Sequence, residues 1–434
     1  MNDQLAILGG TKVRKNPFPI ESPSIGEEEI AAVVDVLRDK TLSIFSSTKI
    51  SEFESAFAKY IGTDYAIAVT SGTAALHTAL LAVGVKSGDE VIVPVYTHMS
   101  TINSVLMIGA RPVFVDIDPE TFNINIDQIR EIITSKTKAV IIVDLFGQPV
   151  DRKAISKILD GSGVFLIEDC AQSTGASFNN KKVGSFGVGC HSFGEIKNIT
   201  TAEGGMVTTN DANIARLARL IRHEGEMWKS TNASVINSSP TNYKEMIYGI
   251  DYPVVGHNYR MNSLQASMGL VQLEKLDRLN GKRIDVAKYY ISELEEYPYF
   301  LLPRSDQNFT HVYNRFVFRL KKDIEISRDA FLAALISEGI PAGVYYPVPL
   351  NHHQFSSEEK HYVGAETACA DQIVLPSYPA LGDEEKKDVV VAIKKIISIV
   401  LKDANIIPQL ENISQEIKAT YFGQFFSIGK REML

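Results

Sequence analysis

The sequence predicts an α/β architecture: a mostly parallel sheet, covered by helices on both faces as a three-layer α/β/α domain, followed by a smaller α+β C-terminal domain. Three observations carry that expectation. Short, near-continuous Val/Ile runs alternate with helical segments between Tyr65 and Ile167, the pattern of parallel strands buried on both faces. Several of these runs end in small, acidic or hydroxyl-bearing residues, where an open α/β sheet places its ligand-binding groups. Beyond Ser263 a long helical stretch breaks the alternation, and the residues after it mix a lone strand with helices.

Residues 1–25 are punctuated by Pro17, Pro19 and Pro23 and read as an extended arm. Ile30, Val33, Val34 and Leu37 recur at helical spacing, which predicts an amphipathic helix from Glu27 to Lys40. Ser51 reads as the cap of a second helix that runs through Tyr60 and stops at Gly62. A strand over 65–70 then ends in Ser71-Gly72-Thr73, and a helix follows at once from Ala74 to Val83. Such a turn is an anion site built from backbone N–H groups and a positive helix end, or a tight connection that binds nothing. Strands are expected over 90–94, 111–115, 138–145 and 164–167, with Tyr96-Thr97-His98 just past the end of the second strand. A β-prone run from Val188 to Phe193, a polar turn and a second run over 206–209 complete the first half. Residues 210–223 read as a helix, and 226–256 as a long loop of the kind that is functional or mobile in compact proteins. The helical stretch over 263–279 and 282–297 is where the domain boundary is expected. The division is then an arm (1–25), a large domain (26–275), a small domain (276–402) and a tail (403–434). The small domain is expected to hold a strand over 313–320, helices over 328–338 and 383–401, and a Pro-rich loop over 345–350.

Composition narrows the class. With 45% hydrophobic and 22% charged residues the chain can bury a large core. A net charge of −8 argues against nucleic acid or an acidic membrane surface as the main partner. No apolar run approaches the ~20 residues of a membrane span, and the start of the sequence lacks a signal-peptide pattern. Three cysteines without CxxC spacing, Cys170, Cys190 and Cys369, are expected to be reduced, buried thiols of a cytoplasmic protein. The glycines over 184–189 precede a strand rather than open a helix, so a dinucleotide fingerprint is not predicted. No metal site and no nucleophile elbow are predicted either.

The chemistry centres on two residues. Lys197 sits on the turn between the two β-prone runs, and Asp169 closes the apolar strand before them. Alone, the lysine reads as a solvated charge. Together, a lysine and a strand-end acid form the pair that pyridoxal phosphate needs, one for the Schiff base and one to keep the pyridine nitrogen protonated.

Five ordered motifs then resemble a known family. They are Ser71-Gly72-Thr73-Ala74-Ala75-Leu76, Glu168-Asp169-Cys170-Ala171-Gln172, Ser192-Phe193 through Lys197, Ala202-Glu203-Gly204-Gly205-Met206, and Gly256-His257-Asn258-Tyr259-Arg260-Met261. Together they are similar to the DegT/StrS family of sugar and cyclitol aminotransferases, pyridoxal-phosphate enzymes of the aspartate-aminotransferase fold type I. The resemblance runs from about Gly9 to about Leu401. It implies pyridoxal 5'-phosphate bound covalently to Lys197, with the pyridoxamine form between two half-reactions. Asp169 would pair with the ring nitrogen, and Gln172 would lie near the ring hydroxyl. Gly72, Thr73 and Ser192 would hold the phosphate. Asn258 would reach the phosphate across a homodimer interface, so that sites are shared between chains. His98 falls where the family places an aromatic residue on the cofactor ring. Arg260 would order the interface or meet a substrate anion, and Asn351 stands where relatives have histidine.

The activity so implied is transfer of an amino group from glutamate or glutamine to a keto sugar, nucleotide-linked or free, or to a keto cyclitol. Leu5 through Thr11 resembles the antibiotic-pathway branch. The alternatives within the family are a dehydratase with histidine in place of Lys197, and aminohydroxybenzoate-type ring formation. Outside it stands a non-catalytic binding or regulatory protein.

Overall fold

The computed structural model describes residues 4–19, 23–228, 250–304, 306–356 and 358–429. The alternation of the first half folds as expected into a central sheet. Its strands are β1 (Tyr65–Val69), β2 (Glu90–Pro94), β3 (Arg111–Val115), β4 (Thr137–Val143) and β5 (Phe165–Asp169). After the short pair β6 (Ser177–Phe178) and β7 (Lys181–Lys182) come β8 (Val188–Ser192) and β9 (Gly205–Thr209). The spatial order is β1-β9-β8-β5-β4-β2-β3, seven strands in all. From β8 to β3 every pairing is parallel, whereas β9 runs antiparallel to both β1 and β8. The reversal follows from the connection: β8 reaches β9 through a turn rather than a helical crossover. Gly205 makes the close approach possible, because a Cβ there would lie 2.3 Å from Ser71 O.

Helices cover both faces: α1 (Glu27–Asp39), α2 (Lys49–Ile61), α3 (Gly72–Ala82), α4 (Met99–Leu106), α5 (Ile126–Ile132), α6 (Arg152–Leu159) and α7 (Ala212–Arg222). The strands β2 and β4 explain the apolar runs, since Val91, Ile92, Val93 and Ala139 to Ile142 are all fully buried. The second helix starts earlier than expected. Thr48 takes the cap position without a side-chain cap bond, and Ser51 lies inside the first turn.

Of the loop expected over 226–256, residues 229–249 lie outside the described residues. Its ends meet in an antiparallel pair, β10 (Met227–Trp228) with β11 (Ile250–Asp251). Helix α8 (Ser263–Leu294) then runs 32 residues without a break at Gly281. Asn262 accepts from Gln265 N, and the Gln265 side chain accepts from Asn262 N, so the start is capped reciprocally. Leu276 and Leu279 pack with Phe53 and Phe57, whereas Val286, Tyr290 and Leu294 belong to the core of the C-terminal unit. One helix thus serves two cores, and residue 276 falls in its middle.

The C-terminal unit holds the antiparallel strands β12 (Phe300–Leu301), β14 (Phe316–Leu320) and β15 (Gln372–Leu375), while β13 (Phe309–Thr310) pairs back with β6. The strand expected from Tyr313 begins only at Phe316, because Tyr313 adopts a left-handed φ of 44°. Helices α9 (Arg328–Ser337), α10 (Val363–Asp371), α11 (Asp383–Lys402) and α12 (Ile406–Gly429) complete it. The arm is tied down rather than free: Leu5 is fully buried in this core, and Arg14 pairs with Glu385 and Asp388. The tail is helical, with Ile406 and Leu410 buried. Among the described residues no helix is long and apolar enough to cross a membrane.

Candidate active site

The site forms where β5 ends. Successive residues of a strand point to opposite faces, so Glu168 and Asp169 part company. Glu168 turns into the protein and meets Arg152 at 2.9 Å. Asp169 turns toward a cavity of 550 Å³ bounded by both halves of the molecule. Its Oδ1 accepts from Ala171 N at 3.1 Å and its Oδ2 from the Thr101 hydroxyl at 3.0 Å. Burial pushes the Asp169 carboxyl above its ordinary value, opposed by these two donors and by Lys197.

Lys197 enters the same cavity from the turn after β8. That turn is anchored at its base by Phe193, fully buried, whose ring lies 5.5 Å from Phe53 and 5.4 Å from Phe57. Phe193 N donates to Gly204 O and Thr201 N to Phe193 O, which closes the loop around the lysine. Burial lowers the Lys197 ammonium below the usual lysine value, Asp169 opposes that shift, and Arg315 adds to it. Lys197 and Asp169 therefore line one cavity and act on each other's charge.

The other predicted residues assemble around them. Ser71 caps α3 by accepting from Ala74 N at 3.1 Å. That leaves the amides of Gly72 and Thr73, at the first positions of the helix, directed out of its end. Gly72 faces Ser192: a Cβ on Gly72 would sit 2.7 Å from Ser192 Cβ and 3.0 Å from Ser192 Oγ. Gly72, Thr73 and Ser192 all line the cavity. His98 caps α4, its Nδ1 within 3.2 Å of Ser100 N, and its ring stands at the exposed rim 6.1 Å from the Tyr346 ring. Gln172 lines the wall with its amide already committed, accepting from Phe146 N at 2.8 Å and donating to the Tyr346 hydroxyl at 3.3 Å.

Asn258 is the exception. It lies outside this chain's cavity, its backbone bridged to His223. Arg260 is also remote, with Nη1 3.0 Å from His223 Nδ1 and Nη2 3.5 Å from Glu224. Asn351 is buried, and its Nδ2 donates to Lys360 O.

The lining residues Phe146, Asn314, Arg315 and Tyr345 escaped the sequence reading, and so did Thr101, which holds Asp169. Thr101 lies one helical turn past His98, and a hydroxyl there gave no signal of its own. Asn314, Arg315 and Tyr345 come from the C-terminal unit, over a hundred positions from Lys197. Only the fold brings them in.

These positions fall within a family match that spans most of the chain. Residues 23–394 match the model of the DegT/DnrJ/EryC1/StrS aminotransferase family. The chain belongs to that family. An uncharacterized protein of Methanocaldococcus jannaschii is 36% identical over 396 residues, which cover 89% of this chain and 99% of that protein. Among solved structures, an aminotransferase from Psychrobacter cryohalolentis superposes with a TM-score of 0.81 at 31% identity, covering 88% of this chain and 99% of that one. A GDP-4-keto-6-deoxymannose-3-dehydratase superposes with a TM-score of 0.78 at 28% identity, covering 87% of this chain and all of that one; it holds a trapped PLP-glutamate geminal diamine. The fold is thus that of the PLP-dependent aminotransferases. Pyridoxal phosphate is the cofactor that the DegT family and these neighbours imply.

Proposed function

We propose that this DegT-family chain is a pyridoxal-phosphate aminotransferase that moves an amino group from glutamate or glutamine to a keto sugar or keto cyclitol. One observation carries the reading: Lys197, with its ammonium destabilised by burial, faces the buried Asp169 across one cavity. The donor set fits the cofactor. Gly72 leaves room against Ser192 that a Cβ would fill, the start of α3 offers free amides to a phosphate, and Asp169 offers a carboxylate to a pyridinium.

When bound, pyridoxal phosphate supplies an electron sink for the carbanion formed at the nitrogen-bearing carbon. The rest is work for this chain. Lys197 Nζ, its ammonium held below the ordinary lysine value by burial, would be the amine that holds the cofactor covalently. The same Nζ, when not bound to the cofactor, would serve as the base and acid that moves the substrate proton. Asp169, fixed by Thr101 and Ala171 N, would hold the pyridine nitrogen in its protonated form. Gln172, held between Phe146 N and Tyr346, would lie beside the ring hydroxyl. His98, at the exposed rim, would cover the ring from the open side. Asn258, which does not line its own chain's cavity, would complete the phosphate site of a second chain in a homodimer. The donor and acceptor enter from the side lined by Asn314, Arg315, Tyr345 and Tyr346.

The test is spectroscopic. The purified protein with pyridoxal phosphate should show a visible absorption band that bleaches to the near ultraviolet on adding glutamate or glutamine, and returns on adding a keto sugar. Lys197→Ala should remove the visible band and turnover while leaving the circular dichroism unchanged. A band that persists in Lys197→Ala refutes the lysine assignment. A bleached form that eliminates a sugar hydroxyl instead of aminating the acceptor would place the protein with the dehydratase.

A further inference from the structure

Lys197 and Asp169 lie on different loops, and a ring held between them needs both at one fixed spacing. Helix α8 touches both loops from below. Asn280 Nδ2 donates to Thr174 O at 3.0 Å, in the loop that leaves Asp169. Asn280 Oδ1 accepts from Asn198 Nδ2 at 2.7 Å, in the residue directly after Lys197. One helical turn on, and therefore on the same face, Arg283 donates to Asn198 O at 3.4 Å and to Lys197 O at 3.3 Å. Asn314 closes the set by donating to Asn198 Oδ1 at 3.3 Å.

Asn198, Asn280 and Arg283 are 2%, 4% and 6% exposed, and none of the three lines the cavity. The contact between α8 and the Asp169 loop is close enough to exclude a side chain: a Cβ on Gly175, whose φ is +95°, would lie 2.5 Å from Asn280 Nδ2. Buried amides that are paired on both sides resist displacement, because a small shift would leave polar groups unmatched in a medium that cannot replace them. Neither Asn198 nor Asn280 has any other evident task.

We propose that Asn198, Asn280 and Arg283 are positioning residues that clamp the Lys197 turn to the Asp169 loop through α8, and so set the distance between the two groups that meet the cofactor. The proposal rests on the reading of the cavity as a pyridoxal-phosphate site. Because α8 also forms part of the C-terminal core, the clamp ties that core to the spacing.

Asn198→Ala in the holoenzyme is the direct test. Its fold should persist, since the residue is small and the loop keeps its backbone bonds. Its kcat should fall ~100-fold with the donor KM little changed, the scale on which a misplacement of about 1 Å acts. The pH midpoint of the cofactor's visible band should move by about one unit. In cofactor-free protein, the pH profile of reductive methylation at Lys197, read by mass spectrometry, should move as well. Arg283→Lys keeps the charge but not the paired reach to two carbonyls, and should shift the same readouts less. If Asn198→Ala does not fold, Arg283→Lys decides. Folded variants that keep the parent kcat, band midpoint and methylation profile would overturn the clamp. If the parent itself takes up no pyridoxal phosphate, the cofactor reading fails, while the methylation profiles still decide the clamp.

Discussion

Glu168 and Asp169 are neighbours on one strand, both nearly inaccessible, and the protein treats them in opposite ways. Behind the sheet, Glu168 accepts from Gly184 N, Phe186 N and Gly187 N and from Arg152, which also holds Asp144. Burial pushes Glu168 up, yet Arg152 and the amides outweigh it and the carboxyl ends below its ordinary value. In front of the sheet, Asp169 accepts from Ala171 N and Thr101 and meets Lys197 across the cavity, yet burial outweighs them and it ends above its ordinary value. The same desolvation is met in one place by a complete set of partners and in the other by an incomplete one. A buried charge with every partner in place is structure; one that meets its cation only across a cavity is a site.

The largest effect should come from the complete side. Arg152→Ala leaves Glu168 and Asp144 buried without their shared cation, and should cost about 3–5 kcal/mol of stability. Denaturant unfolding measures this. A loss below ~1 kcal/mol would mean that the amides suffice and that the contrast is overdrawn.

The two carboxylates should then respond to pH with opposite signs. Glu168, lowered in the folded state, contributes stability that is present above the ordinary carboxylate pKa and lost as pH falls through its folded value. Glu168→Gln should therefore destabilise at pH 7 by roughly 2–3 kcal/mol, with the difference shrinking in acid. Asp169, raised in the folded state, contributes stability only while protonated, and that contribution is lost as pH rises through its folded value. Asp169→Asn should thus stabilise the cofactor-free protein at pH 7, by about 1 kcal/mol, and abolish turnover. In acid its gain should vanish. Urea midpoints of the two variants at pH 4 and pH 7 decide the matter; a stabilised Glu168→Gln or a destabilised Asp169→Asn would break the comparison.

How much of this was legible in the sequence follows from distance along the chain. The strands from Tyr65 to Asp169 and their helices read directly, because burial on both faces forces apolar runs of strand length. Lys197, Asp169, Gly72 and Thr73 stood out in short motifs at strand ends, whereas Ser192, Gln172 and His98 were implied by the family resemblance; all seven line the cavity. The ion cluster did not stand out. Asp144, Arg152 and Glu168 are spread over three elements, and each looks locally like a cap or a surface charge. Asn314, Arg315 and Tyr345 escaped for the same reason, because no local pattern says which C-terminal loop returns to the sheet. Ser51 misled because a good capping residue also fits inside a first turn, and Tyr313 because an aromatic residue next to a strand can instead adopt a left-handed bend.

The smallest expected effect concerns the other end of the cavity. Gly72 is not in a left-handed conformation, and alanine suits a helix start, so Gly72→Ala carries no backbone penalty and removes chain entropy from the unfolded state. Its cost is local: the new methyl would sit 2.7 Å from Ser192 Cβ, inside contact distance, and one wall must move. Ser192 is the wall with room to give, since it faces the cavity, and its displacement would turn the hydroxyl away from the amides of α3. Stability should hardly change, while affinity for pyridoxal phosphate should fall about tenfold, or 1.4 kcal/mol. Equilibrium titration with pyridoxal phosphate and with pyridoxal lacking the phosphate separates the causes. A loss confined to the phosphorylated form places the anion between Gly72 and Ser192. An equal loss for both forms would mean that the methyl narrows the cavity for the ring, and would move the phosphate elsewhere.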